Sequence, residues 1–321
     1  MNEQVVVNHQ TVVQVQGLGR KYKDVTALDE VNLEFRQDRI YGLLGRNGAG
    51  KTTLMSILTA QGFPSSGTVR VFGEDPYENE RVLRRICFIR ESQKYPDDFT
   101  PAQAFQAASL FFADWDQAFA ERLAEDFQLP LKRRIKKLSR GQLSAVGIVI
   151  GLASRAELTF FDEPYLGLDA VARHLFYDHL VKDFAEHPRT VVLSSHLIDE
   201  VANLLEHIVV IDKGRIIMDD EAEEIRGSAV SVAGPADVVA PFIDGYPVLF
   251  EERLLNTVSV SIAGRLSPAQ RREAAELGLA IGQVSLQQLV VHASLSAQGA
   301  ESSLNDAARP GRGADSKEVT R

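Results

Sequence analysis

Three groups of side chains in this sequence could handle phosphate chemistry, and the first is Gly45-Arg46-Asn47-Gly48-Ala49-Gly50-Lys51-Thr52-Thr53. The pattern G-x-x-x-x-G-K-[ST] suits a loop that must curl tightly and aim successive N–H groups at phosphate oxygens, because glycine has no Cβ to obstruct the approach. Lys51 then reaches the β/γ-phosphates, and Thr52 offers a hydroxyl to Mg²⁺. The helix-like run at 54–60 turns the positive end of its dipole toward the same spot. An ordinary glycine-rich turn accounts for the glycines and leaves the Lys-Thr pair unexplained.

The second group is Asp162-Glu163, two acids that end the apolar run 158–161 and precede Pro164. Carboxylates at the carboxyl end of a parallel strand project into the crevice where open α/β sheets bind ligands. There Asp162 can hold Mg²⁺ through water and Glu163 can polarise an attacking water. Two acids at a strand end are commonly just a turn, but a phosphate loop earlier in the chain makes that the weaker explanation. The third group is His196, immediately after the strand-like run 190–193 and two serines. An isolated histidine there more often caps or packs. Its place at the sheet edge of Asp162 favours a γ-phosphate contact.

The elements expected to position these groups alternate strand and helix, the pattern of an α/β sheet. Strands are expected at 11–16, 25–35, 40–44, 68–72, 86–89, 158–161, 190–193, 208–211 and 216–218. Residues 100–152 read instead as a helical subdomain inserted into that sheet. Within it, the basic run 132–137 reads as a solvated face, and Leu138-Ser139-Arg140-Gly141-Gln142 reads as a helix cap. Tyr22 could stack on a purine or simply sit at a strand edge; the residues do not decide between them.

The length, 321 residues, is enough for two domains or for one large domain with an appendage. Thirty-five basic against 44 acidic residues give a net charge of −9, which argues against a general nucleic-acid binder. Cys87, the one cysteine, permits no internal disulfide and points to a reducing compartment. No apolar run approaches the roughly 18–20 residues of a membrane span, and the N-terminus lacks the pattern of a secretion signal. The expectation is a cytoplasmic protein whose membrane role comes through a partner.

Beyond 226 the composition changes. Strands at 228–233, 248–251, 256–262 and 279–284, with helices at 235–243 and 267–277, give the order β-α-β-β-α-β, consistent with a small ferredoxin-like α+β domain over 228–294. Residues 285–292 can add a helix. From 295 to 321 glycine, serine, aspartate and arginine predominate without periodicity, so a disordered tail is expected, and residues 1–10 read as a loose lead-in.

Taken in order, these motifs over 11–226 resemble the ATP-binding subunit of bacterial ABC transporters, of the exporter-like kind. The resemblance implies a P-loop NTPase domain of the ABC type. It makes Tyr22 the adenine-stacking aromatic and the loop from Gly45 through Asn47, Gly48, Gly50, Lys51, Thr52 and Thr53 the Walker A motif. Residues 138–142 match the LSGGQ signature, Asp162 and Glu163 Walker B, residues 167–169 the D-loop, and His196 the switch histidine. ATP and Mg²⁺ are the implied cofactors, with Thr52, Asp162 and Gln93 as metal contacts. Two such domains pair head to tail in this family. The resemblance therefore places Ser139, Gly141 and Gln142 on the nucleotide of a second copy or homologous subunit, with Glu163 as general base, His196 as γ-phosphate sensor and Asp169 as coordinator across the interface. An integral membrane permease subunit is the implied partner, on the cytoplasmic face of the cell membrane, and no nucleic acid is expected. An importer ATPase is the nearest alternative, followed by an ABC ATPase acting on ribosomes or DNA and by a nucleotide-binding regulator without turnover. Two positions depart from the pattern. Arg140 replaces a signature glycine, and the glutamine expected after 86–89 is absent there, leaving Gln93 with Glu91 as its rival.

Overall fold

The computed structural model describes residues 10–91 and 93–307. From the N-terminus β1 (Thr11–Tyr22), β2 (Val25–Arg36), β3 (Ile40–Leu44), α1 (Lys51–Leu58), β4 (Ser66–Val71), α2 (Glu80–Leu83) and β5 (Ile86–Ile89) lead into three helices, α3 (Pro101–Phe111), α4 (Gln117–Asp126) and α5 (Arg140–Ala153). The chain then returns through β6 (Leu158–Asp162), α6 (Ala170–Glu186), β7 (Thr190–Ser195), α7 (Ile198–Val201), β8 (His207–Asp212), β9 (Arg215–Glu221) and α8 (Ala222–Arg226). The last part comprises β10 (Ala229–Pro235), α9 (Ala236–Phe242), β11 (Val248–Leu254), β12 (Thr257–Ala263), α10 (Pro268–Glu276), β13 (Ala280–Gln283) and α11 (Leu286–Ala307).

The central sheet has the order β5-β6-β7-β3-β8-β9, parallel except for the β8–β9 hairpin. Strands β3, β6 and β7 are buried at every position, which is why their sequences are continuous apolar runs without alternation. By contrast β1 and β2, paired antiparallel with β4 beside them, alternate buried and exposed residues as a sheet with one wet face does. β1 runs on past the expected end at Gln16 to Tyr22, taking register irregularities around Gly17 and Gly19. One core cluster lies between the central sheet and the helices, joining Ile40, Leu44, Phe161 and Leu193 to Phe105, Leu123, Val149 and Phe176. Cys87 is buried in it, and burial pushes its thiol up to about 12.

The helical insertion is started by side chains suited to the task. Thr100 with Gln103 and Ser139 with Gln142 both close capping boxes, satisfying N–H groups that a helix start leaves without partners. Below the insertion Asp183 is buried between Arg155 and Arg189, at 2.7 Å from each. Burial lowers the Arg189 pKa from its ordinary value while Asp183 opposes the shift. Asp183→Asn leaves the buried Arg189 without a carboxylate, whereas Arg155 keeps Asp116 at 2.9 Å, so the substitution is expected to cost about 3 kcal/mol in urea unfolding.

In the last part, the antiparallel sheet has the order β11-β12-β10-β13, with its own apolar cluster around Val232, Val239, Val260 and Ile262. The expected loss of structure from 295 is corrected: α11 continues to Ala307, because a leucine-, glutamine- and alanine-bearing stretch favours a helix once Leu286, Leu289 and Val290 anchor it in the main core. The rest of the expected tail, 308–321, and nearly all of the expected lead-in, 1–9, lie outside the described residues. No helix among the described residues is long and apolar enough to cross a membrane.

Candidate active site

The phosphate loop joins β3 to α1, and packing on both sides of it demands glycine. A Cβ on Gly45 would fall 2.3 Å from the Ile211 carbonyl oxygen, and one on Gly50 2.7 Å from that of Ala27. Both residues also have positive φ, 153° and 117°. The turn between β8 and β9 holds the loop from outside, its Gly214 N–H donating to the Ala49 carbonyl at 2.8 Å. α1 begins at Lys51 with no side chain capping it, which leaves its first N–H groups for an anion.

Three neighbouring parallel strands bring the reactive side chains to one sheet edge, since Leu44 pairs with Ser195 and Asp162 with Ser194. Lys51 is buried there; its Nζ donates to the Gly45 carbonyl at 2.7 Å and lies 3.3 Å from Glu163 Oε1. Thr52 donates its hydroxyl to Asp162 Oδ2 at 2.7 Å, and Ser194 donates to Asp162 Oδ1 at 2.7 Å. The same serine oxygen accepts the Glu163 N–H at 3.0 Å.

Glu163 adopts a left-handed backbone, φ 49°, a conformation that costs a residue with a side chain on the order of 1 kcal/mol. Its Oε2 accepts from His196 Nδ1 at 2.8 Å and from the Tyr165 hydroxyl. Its buried Oε1 faces the Lys51 ammonium without hydrogen-bond geometry and has no hydrogen-bond partner among the described residues. Tyr165 is the group the sequence reading missed. A polar ring two residues after Glu163, inside the tight Asp-Glu-Pro turn, was the available signal. Burial and then the Glu163 carboxylate push its phenol above the usual range, so it keeps its proton and donates.

The remaining expected residues are placed elsewhere. Ser139 caps α5; its oxygen accepts the Gln142 N–H at 3.2 Å and its own N–H donates to Gln142 Oε1 at 3.1 Å. The hydroxyl hydrogen of Ser139 is thereby left for an outside acceptor, whereas the Gln142 carbonyl oxygen is committed to the cap. Gly141 packs on the Gly167 turn, and neither it nor Ser139 contacts Lys51, Thr52 or Glu163 by a hydrogen bond among the described residues. Asp169 caps α6 through the Ala172 N–H at 2.8 Å. Tyr22 is half exposed at the end of β1, with the Arg20 guanidinium 4.2 Å from its ring centroid. Gln93 donates its backbone N–H to Arg90, and no hydrogen bond joins its side chain to Thr52 or Asp162. The two departures from the family pattern turn out to be partners: Arg140 lies across Gly167 and pairs with Glu91 at 2.9 Å.

This arrangement fits a nucleoside triphosphate with Mg²⁺. An uncapped helix start and a lysine are ready for phosphate, and the orphaned Oε1 is a basic oxygen beside them. Among the described residues no three carboxylates, histidines or cysteines cluster as a protein-only metal cage. Thr52 and Asp162 would instead supply the few oxygens that Mg²⁺ takes from protein, consistent with its habit of keeping water and phosphate oxygens.

Residues 28–166 match the family described as ABC transporter. The chain is 30% identical over 218 residues to the bacitracin transport ATP-binding protein BcrA of Enterococcus faecalis, covering 67% of this chain and 71% of that one. It is 32% identical over 232 residues to the doxorubicin resistance ATP-binding protein DrrA of Mycobacterium tuberculosis, covering 69% of each. A solved ATP-binding cassette, a dimer in a post-hydrolysis state bound to ADP and Pi, superposes with a TM-score of 0.58 at 20% identity over 65% of this chain and 98% of that one.

Proposed function

This chain belongs to the ATP-binding subunits of ABC transporters, and from that premise we propose that two copies, or one copy and a homologous subunit, close around two ATP molecules to drive a membrane-spanning permease. The observation that carries this is the division of the site. Lys51, Thr52, Asp162, Glu163 and His196 converge on one sheet edge, while Ser139 with its available hydroxyl stands apart on the start of α5. A second copy would complete the site with Ser139 and Gly141.

Within each site the loop N–H groups and Lys51 hold the phosphates, and Glu163 takes the proton of the attacking water. His196 touches the γ-phosphate and Asp169 acts across the interface. Thr52 and Asp162 hold Mg²⁺, which when bound neutralises charge on the phosphate oxygens. Glu91, drawn to Arg140, stands near the position where a Q-loop glutamine is expected, and Gln93 remains the candidate for the metal contact. Tyr22 is the candidate for stacking on the adenine. The unit at 228–294 is an accessory domain on the ATPase of 11–226.

Export is the direction we favour, because BcrA and DrrA are a bacitracin transport and a doxorubicin resistance protein. The protein then works on the cytoplasmic face of the cell membrane. Purification of the tagged chain in mild detergent is expected to bring down a multi-span membrane protein. Recovery of ribosomes or DNA-bound proteins instead would overturn the assignment.

A further inference from the structure

We propose that Tyr165 is a positioning residue for hydrolysis: its hydroxyl fixes Glu163 and the start of the His196 segment so that Oε1, not Oε2, is the oxygen left to accept the proton of water. The inference rests on Glu163 being the general base.

A phenol has one proton to give and two lone pairs. Here the proton goes to Glu163 Oε2, since a carboxylate only accepts. The lone pairs take the His196 backbone N–H at 3.1 Å and the Ser195 hydroxyl at 2.9 Å. Ser195 in turn accepts the Leu197 N–H at 2.9 Å. A continuous chain of donors thus runs from the backbone at 197 through Ser195 and Tyr165 to the carboxylate. Tyr165 is only 2% exposed, so water does not compete for these bonds.

His196 Nδ1 is the second donor to Oε2, at 2.8 Å. Two donors on one oxygen use up its lone pairs and hold the carboxylate plane, which leaves Oε1 toward Lys51. In the reaction Oε1 takes a proton from water as the water oxygen bonds to the γ-phosphorus. The bond from that phosphorus to the β–γ bridging oxygen breaks, and its electron pair leaves with ADP. The imidazole and the phenol therefore divide the two oxygens of Glu163 into a held one and a working one.

Tyr165→Phe removes the hydroxyl and keeps the ring, with its contacts to His196 and Arg173. We expect kcat for ATP to fall about 10- to 100-fold with KM within about twofold, because the phenol orients the base and does not touch the nucleotide. On a sizing column Y165F should retain the ATP-bound dimer longer than the wild type does. In a Glu163→Gln background the same change should have less than about a twofold further effect, since both act through one group. Wild-type kcat in Y165F, or a full additional loss in the double variant, would overturn the proposal. An inactive Glu163→Gln beside a fully active Y165F leaves the base assignment standing and removes only Tyr165's role. Wild-type turnover in Glu163→Gln removes both. Should Y165F fail to fold, Ser195→Ala breaks the donor chain one link earlier; reduced kcat at unchanged KM supports the proposal and unchanged kcat overturns it.

Discussion

Glu163→Gln binds ATP at least as tightly as the wild type and hydrolyses it about 10³-fold more slowly, the loss expected when a general base is removed. Glu163 Oε1 lies 3.3 Å from the Lys51 ammonium, inside a buried site. A triphosphate entering the loop competes with that carboxylate for the lysine. The amide has no charge with which to compete, so binding is retained or improved while proton abstraction is lost. With ATP present the variant should elute as a dimer, because nothing consumes the nucleotide that holds the two copies together. Turnover at the wild-type rate would remove Glu163 from the mechanism.

The second large effect is expected at Ser139. Its side chain caps α5, and in the proposed pairing it also presents a hydroxyl to the γ-phosphate bound by the partner; two substitutions separate these roles. Ser139→Asp keeps an efficient N-cap but places an anion against phosphate. Ser139→Arg gives up the cap, at a cost of about 1 kcal/mol, and fills the interface with a long side chain. Both should abolish ATP-dependent dimerisation and reduce turnover about 10²- to 10³-fold. ATP binding to the isolated subunit should survive, because among the described residues the Ser139 side chain hydrogen-bonds only to Gln142 and not to its own Lys51 or Thr52. Measurement needs a sizing column with and without ATP, and titration of a fluorescent ATP analogue. A dimer forming normally in Ser139→Asp would argue for a site complete within one chain.

The part of this site legible in the sequence is the part whose chemistry restricts residue type. A loop wrapped around phosphate must have glycine at 45 and 50, and the cost of a Cβ at each is visible in the contacts with Ile211 and Ala27. Adjacent acids at the end of a fully buried strand are equally recognisable, because β6 has no wet face on which to carry them without purpose. Tyr165 was not legible, since a tyrosine after Asp-Glu-Pro looks like core filling until β7 brings Ser195 and His196 to its hydroxyl. Arg140 and Glu91 each read as an isolated departure from the family pattern. Their pairing depends on how α5 lies against the segment after β5, which single-chain periodicity does not encode. The continuation of α11 is hard to read for a related reason: its composition permits a helix, but the anchor that holds it is the tertiary burial of Leu286, Leu289 and Val290.

The buried thiol of Cys87 turns the native chain into a spectroscopist's starting material. A maleimide or nitroxide reagent needs an accessible thiolate, and this thiol is 2% exposed with its proton held up to about 12. Background labelling at neutral pH is therefore negligible without replacing any native residue. A reporter cysteine introduced on the exposed face of α4, away from both halves of the nucleotide site, would carry the only label. In a paired complex, two such labels would report opening and closing as one distance, read in real time while ATP is consumed.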